Sequence, residues 1–370
     1  MEKNEKRLIL FMPSMEGGGV EKNLIIISNY LSKKIKNIAL ITFDKKFKKN
    51  FNKKIEILSP KKFKKKTYSK YFKYLICIFI LLNEIILKKN IIVFSFQANI
   101  YCIILCKIFG IKIISRSNSS PSGWNKNYIK SFIFKYFFKK CDLVIVNSIE
   151  FKKQIKNVFN KSSQLIYNPL NKKEIIKKSK IKTKFNFFDN YNGLKIINVA
   201  RFTDQKDHLT LLKAFNIANK KIKCRLLIIG YGANKDIIKE FIKLNKLNKN
   251  IKLLNFTKNP FPYISKSNLL VLSSIYEGLP NVLLEAITLK KFIISTNCPT
   301  GPSEILQNGK LGFLYKMGDF EKLAKLLIKY KKNQNYKNIT IKAFKSLDRF
   351  DYNKNCEKYF KTILKVDREK

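Results

Sequence analysis

Short β-rich apolar runs alternate with helical stretches along almost the whole chain, and they do so in two sets. The first set of strand candidates is Arg7–Met12, Ile38–Phe43, Ile91–Phe96, Ile111–Ser115 and Leu143–Asn147. The second is Leu194–Ala200, Arg225–Gly230, Ile251–Asn255, Leu269–Ser273 and Phe292–Thr296. Between the strands apolar residues recur at helical spacing, as Val20, Leu24, Ile27 and Leu31 do, and His208–Ala218 and Lys235–Lys246 also read as helices. Strands that alternate with helices pair in parallel, and near-continuous apolar strands are covered on both faces. The expected class is therefore α/β, with two Rossmann-like, doubly wound parallel-sheet domains. A length of 370 residues suits two cores better than one. The break falls in Asn168–Asn192, which opens on Asn168-Pro169 and ends on Asn192-Gly193. We expect a first domain over 1–170, a linker over 171–192, a second domain over 193–347, and a C-terminal helix over 348–370 that packs back on the first domain.

Charge is the next constraint. There are 76 basic residues against 25 acidic ones, a net charge of +51, and only six of the basic residues are arginine. Lysine, isoleucine, asparagine and phenylalanine crowd the chain together, and their codons are built largely from A and T. Coding composition is the main source of the excess, with an anionic membrane surface as a secondary one. Proteins that read bases keep arginine for its fork, so no nucleic acid partner is expected. None of the seven cysteines forms a C-x-x-C pair. They read as buried small hydrophobes in a reducing compartment. The start MEKNEKRLILFMPS carries no cleavage site, and the strongest apolar run, Tyr74–Leu82, is shorter than the ~20 residues a spanning helix needs. A cytoplasmic protein is expected, held peripherally at the inner face of the membrane.

Three motifs carry chemistry. Gly17-Gly18-Gly19 follows the first strand and opens the first helix, where backbone amides approach a phosphate. Taken alone it reads equally as a flexible strand-to-helix turn. Arg201 and Lys206 follow the first strand of the second domain, at the edge where ligands bind in such sheets. Despite the lysine-rich background an arginine stands there, and the two cations suit a diphosphate whose charge grows as it leaves. Glu277-Gly-Leu-Pro-Asn-Val-Leu-Leu-Glu285 places one acid before a helix start and one in its second turn, with Pro280 in the first turn and the amides of Asn281 and Val282 at the positive end. The two carboxylates are each able to grip hydroxyls, one set on a sugar and one on a ribose.

In this order and at these strand ends, the motifs resemble glycosyltransferase family 4, the retaining transferases with the two-domain B-type glycosyltransferase fold. The resemblance covers nearly the whole chain and is densest in VARFTDQKDHLTLLKAF, SSIYEGLPNVLLEA and CPTGPSEILQNGKLGFL. It implies that Glu277 faces the donor sugar and Glu285 holds the ribose, that Arg201 and Lys206 stabilise the departing diphosphate, and that the Gly17–Gly19 loop closes over the phosphates. It also implies a hexosyltransferase-type activity in polysaccharide biosynthesis for the cell envelope. The donor is a nucleotide-sugar, with UDP favoured, and the acceptor a glycan or lipid-linked sugar. Front-face attack retains configuration, and the leaving phosphate assists deprotonation of the acceptor. No cofactor and no metal are expected, since no Asp-x-Asp occurs.

Where many relatives carry a first-domain histidine near the reacting sugar, this chain has only His208, in the second domain, where a structural or surface role is expected. The corresponding first-domain loop is Ser115–Ser120, whose Arg116 and Asn118 are candidate acceptor-side residues. Two other readings stand beside the transferase. One is a nucleotide-sugar epimerase or hydrolase of the same fold. The other is a non-enzymatic basic protein binding membrane or nucleic acid. Finally, Phe63–Lys89 and Tyr128–Lys140 interleave lysines with large apolar residues, as interfacial helices do, and as buried helices in a lysine-rich chain also do.

Overall fold

The structure is a computed structural model that describes residues 6–60, 68–88, 90–117, 128–333 and 335–368. It divides into two compact units. The first comprises residues 1–169 together with 352–370, and the second residues 170–351.

Unit one is built on seven parallel strands: β1 (Arg7–Phe11), β2 (Ile38–Ile41), β3 (Glu56–Leu58), β4 (Ile91–Ser95), β5 (Lys112–Arg116), β6 (Leu143–Val146) and β7 (Gln164–Leu165). Their order is β3-β2-β1-β4-β5-β6-β7. The strands alternate their apolar side chains between two cores. Leu8 and Leu10 face one core with α1 (Gly19–Leu31), while Ile9 and Phe11 face the other with α2 (Lys70–Leu87), α3 (Asn99–Ile108), α4 (Tyr128–Lys139) and α5 (Ile149–Phe159).

Unit two repeats the plan with α6 (Lys172–Ser179), β8 (Leu194–Val199), α7 (His208–Asn219), β9 (Cys224–Ile229), α8 (Lys235–Leu244), β10 (Ile251–Leu254), α9 (Phe261–Ser265), β11 (Leu269–Leu272), α10 (Asn281–Thr288), β12 (Phe292–Thr296), α11 (Pro302–Ile305), β13 (Phe313–Tyr315), α12 (Phe320–Lys332) and α13 (Lys337–Ser346). All six strands are parallel, in the order β10-β9-β8-β11-β12-β13. The centre of the sheet is the pair β8–β11, two strands far apart in sequence, in register at Ile196 with Leu269.

Two expectations need amendment. Three strands are absent from the sequence reading, namely β3, β7 and β13. Each is two or three residues long and lies at a sheet edge, too short to show a period. The stretch 171–192 is no free linker. It lies within the second unit, where α6 packs against α9 and α10 and Ile175 is buried. Beyond α13 the chain leaves unit two after Asp351, and α14 (Tyr352–Arg368) completes unit one by burying Tyr359, Ile363 and Val366 in the core shared with α1. The two crossing strands are tied to each other where they pass, through the Leu170 amide donating to the Phe350 carbonyl at 2.8 Å.

Arg116 ends β5 and is fully buried. Its Nε donates to the Tyr359 hydroxyl at 2.9 Å and its Nη2 to Asn168 Oδ1 at 2.6 Å. It therefore holds the last residues before one crossing to the helix that follows the other. The guanidinium offered by the sequence as an acceptor-side group is thus packed inward. Asn118, its companion candidate, lies outside the described residues.

Candidate functional site

A parallel sheet delivers all its C-terminal loops to one edge, and two adjacent loops diverge where the strand order reverses. In unit two that place is the pair β8–β11. The loop after β8 carries Arg201 and Lys206, and the loop after β11 carries Glu277.

The first loop is rigid for local reasons. Phe202 is fully buried, its amide donates to the Tyr231 carbonyl at 2.7 Å, and its carbonyl accepts from the Asn234 amide at 3.0 Å. A short 3-10 turn over Asp204–Lys206 follows, and Asp207 then caps α7 by accepting from the Thr210 amide and hydroxyl. Ser273 Oγ, from the second loop, donates to the Lys206 carbonyl at 2.8 Å. Gln205 binds both ways, accepting at its carbonyl from the Ile275 amide and donating from its side chain to the Tyr276 carbonyl.

These ties bring together two side chains that stand 71 residues apart. Lys206 Nζ lies 2.5 Å from Glu277 Oε1, with side chains only 14% and 10% exposed. Ser274 Oγ donates to the same carboxylate oxygen at 2.7 Å. Among the described residues Oε2 of Glu277 accepts no hydrogen bond. The Glu277 main chain is fixed as well, because the Thr300 hydroxyl donates to its carbonyl. Gly301, with φ +91°, packs so closely that a Cβ there would sit 2.2 Å from the Gly278 carbonyl oxygen. Only glycine permits both the angle and the approach.

Pro280 is the N-cap of α10, one residue earlier than the first-turn position expected. Asn281 and Val282 are the first two residues of that helix, at its positive end. Glu285 lies in the second turn and is buried. Arg201 is exposed on the same loop as Lys206. The sequence thus named the two principal side chains but missed their supports, Ser273, Ser274, Thr300 and Gly301. A signal was present: hydroxyl residues cluster just past β11 and β12, where an apolar strand has no packing reason for them.

His208 is buried against Phe202, ring to ring at 5.2 Å, which fits the structural rather than the surface one of the two roles expected. Burial, with the Lys206 charge adding to it, pushes its pKa down to about 4. Cys298 is also buried, and burial together with the Glu277 charge pushes its thiol up to about 12, so it stays neutral. In unit one, Gly17 takes φ +89° and the Glu16 amide is bound by the Glu21 carboxylate of α1 at 3.1 Å. The glycine turn therefore already carries an acid beside its amides.

Comparison with known proteins places most of unit two in a family. Residues 172–347, nearly all of unit two, match glycosyl transferases group 1. This segment belongs to that family. An uncharacterized glycosyltransferase of Methanocaldococcus jannaschii is 34% identical over 219 residues, 55% of this chain and 53% of that protein, so the match spans about half of the relative. A Campylobacter jejuni enzyme, N-acetylgalactosamine-N,N'-diacetylbacillosaminyl-diphospho-undecaprenol 4-alpha-N-acetylgalactosaminyltransferase, is 26% identical over 70% of this chain and 73% of its own length. The crystal structure of Anabaena HepE in complex with UDP is similar over 97% of this chain and 100% of that one, with a TM-score of 0.77 at 15% identity. The fold is the B-type glycosyltransferase fold.

The site environment makes one stability prediction. With its folded pKa below the unfolded value of about 6.5, His208 binds a proton more readily in the unfolded chain. Its contribution is intact above about pH 6.5 and is lost as the pH falls toward 4, by roughly 3 kcal/mol in all. Unfolding free energies of the wild type and His208→Phe measured from pH 7 to pH 4.5 should diverge, with the wild type losing more. Parallel curves would contradict a buried neutral imidazole.

Proposed function

We propose that this chain is a metal-independent, retaining glycosyltransferase of hexosyl type. It moves a sugar from a nucleotide-sugar, UDP-linked by preference, to a glycan or lipid-linked acceptor in polysaccharide biosynthesis. The observation that carries the reading is the Lys206–Glu277 pair at the strand-order reversal of unit two. It supplies a cation for a leaving diphosphate and, on Glu277, an open carboxylate oxygen for the hydroxyls of the sugar. Arg201 adds a fork-shaped cation on the same loop, the amides of Asn281 and Val282 add donors, and Glu285 takes the ribose. Supporting the nucleotide is the UDP bound in the HepE structure, and supporting the acceptor is the diphospho-undecaprenol in the name of the Campylobacter relative. In this reading the acceptor hydroxyl attacks from the face the diphosphate leaves, and the diphosphate takes its proton.

Transfer assayed with UDP-sugars against lipid-linked acceptors should be nearly abolished by Glu277→Gln. Arg201→Ala and Lys206→Ala should each lose roughly 10²-fold in rate, as removal of one charge-stabilising donor does elsewhere. Arg201→Lys should be damaging too, because a point charge cannot reproduce the fork. Wild-type kinetics in Glu277→Gln or in both alanine variants would remove these residues from the site.

The proposal extends to location: unit one lies on the cytoplasmic face of an anionic membrane. Among the described residues no helix is long and apolar enough to cross one. Yet α2 has two apolar faces. Cys77, Leu81 and Ile85 are buried, while Tyr71, Leu75 and Phe79 stand exposed on the opposite side. Tyr74 stacks edge-on between Tyr71 and Tyr101 and so continues this surface onto α3. Neighbouring α4 exposes Phe132 and Tyr136, flanked by exposed Lys135, Lys139 and Lys140. Exposed apolar area of this extent, rimmed with lysine, marks an interaction site, and each lysine near an anionic leaflet is worth about 1 kcal/mol. Sedimentation with anionic vesicles at low salt should carry the protein into the pellet, and substituting Tyr71, Phe79 and Phe132 with serine should release it. Equal recovery in the supernatant with anionic and neutral vesicles would contradict this location.

A further inference from the structure

The Lys206–Glu277 contact has a consequence for the order of events at the site. Both partners are fixed by their main chains: the Lys206 carbonyl by Ser273, the Glu277 carbonyl by Thr300. Their side chains are nearly dehydrated, so neither charge has much water to fall back on. A nucleoside diphosphate that binds Lys206 therefore meets Glu277 as a rival for the same ammonium.

We propose that Glu277 is an internal competitor for Lys206, occupying the cation while the site is empty and releasing it to the diphosphate of an arriving donor. This rests on the reading of the site given above. A diphosphate brings more charge and more acceptor oxygens than one carboxylate, so it wins the exchange. Glu277 then keeps only Ser274 on Oε1 and has both oxygens available to sugar hydroxyls. With the intact donor those hydroxyls compensate the displaced carboxylate. With the product, a nucleoside diphosphate lacking the sugar, nothing does, and Glu277 stands without a counter-ion. Such a group is costly when partly buried. Glu277 thus recaptures Lys206 after transfer and expels the product, a role distinct from contacting the sugar.

The test is equilibrium binding of UDP, GDP and inorganic pyrophosphate to the full chain, by calorimetry. Pyrophosphate represents the part common to every such donor. Glu277→Gln, which keeps the shape and removes the charge, should bind the diphosphate more tightly, by about tenfold, the equivalent of about 1.4 kcal/mol. Lys206→Ala should bind it more weakly than wild type. In the Lys206→Ala background, Glu277→Gln should give no gain. If Glu277→Gln binds no tighter while Lys206→Ala still weakens binding, the exchange is overturned and the diphosphate assignment stands. A gain that persists without Lys206 also overturns the exchange, since it reports direct repulsion by Glu277 alone. If none of the three probes binds the wild type, or Lys206→Ala leaves binding unchanged, the reading of the site fails with it. A single cooperative melt above the assay temperature for each unliganded variant confirms that the affinities are those of folded protein.

Discussion

The chemistry proposed for this chain depends on one contact, an ammonium against a carboxylate at the middle of a parallel sheet. The contact exists because strand order reverses between β8 and β11. On either side of that point the helices pass to opposite faces, and the loops after the two strands are left side by side. Lys206 and Glu277 lie on those loops and meet at 2.5 Å although 71 residues separate them. Paired charges this close to dehydration are stable only where the backbone on both sides holds them in register. The loops show how that is done.

The supports are small and polar. Ser273, Ser274 and Thr300 each spend a hydroxyl on the pair or on the main chain next to it. Thr296, at the end of β12, gives its hydroxyl to the Ser274 carbonyl. Gly301 lets the following turn press onto the loop before α10. Below this layer the sheet is mainly apolar, from Ile196 and Ile197 across to Val271 and Ile294, with Asn198 of β8 buried and donating to the Val271 carbonyl. The transition from apolar strand to hydroxyl-bearing end is what turns a packed core into a site with fixed polar groups.

The strand and helix pattern of both units was legible because long buried strands leave unbroken apolar runs. Edge strands such as Glu56–Leu58 and Gln164–Leu165 left none, being short and only partly buried. The crossing of the chain between units was visible as a lysine-rich stretch, but composition did not reveal that Lys172–Ser179 would pack as a helix of unit two. Lys206 and Glu277 stood out by their place after strands. That they touch could not be read from spacing, since it follows from which strand lies beside which. Arg116 shows what a strand-end arginine conceals. An arginine in a lysine-rich chain at a strand end looked like a ligand contact, and its guanidinium instead fills the core between Tyr359 and Asn168.

The central claim is that the cation of this pair is what a donor diphosphate takes. The most direct measurement is a crystal structure of the chain with UDP bound. The account predicts Lys206 Nζ within hydrogen-bonding distance of a diphosphate oxygen and the Glu277 carboxylate released from it. UDP bound elsewhere, with the Lys206–Glu277 contact intact, would contradict it.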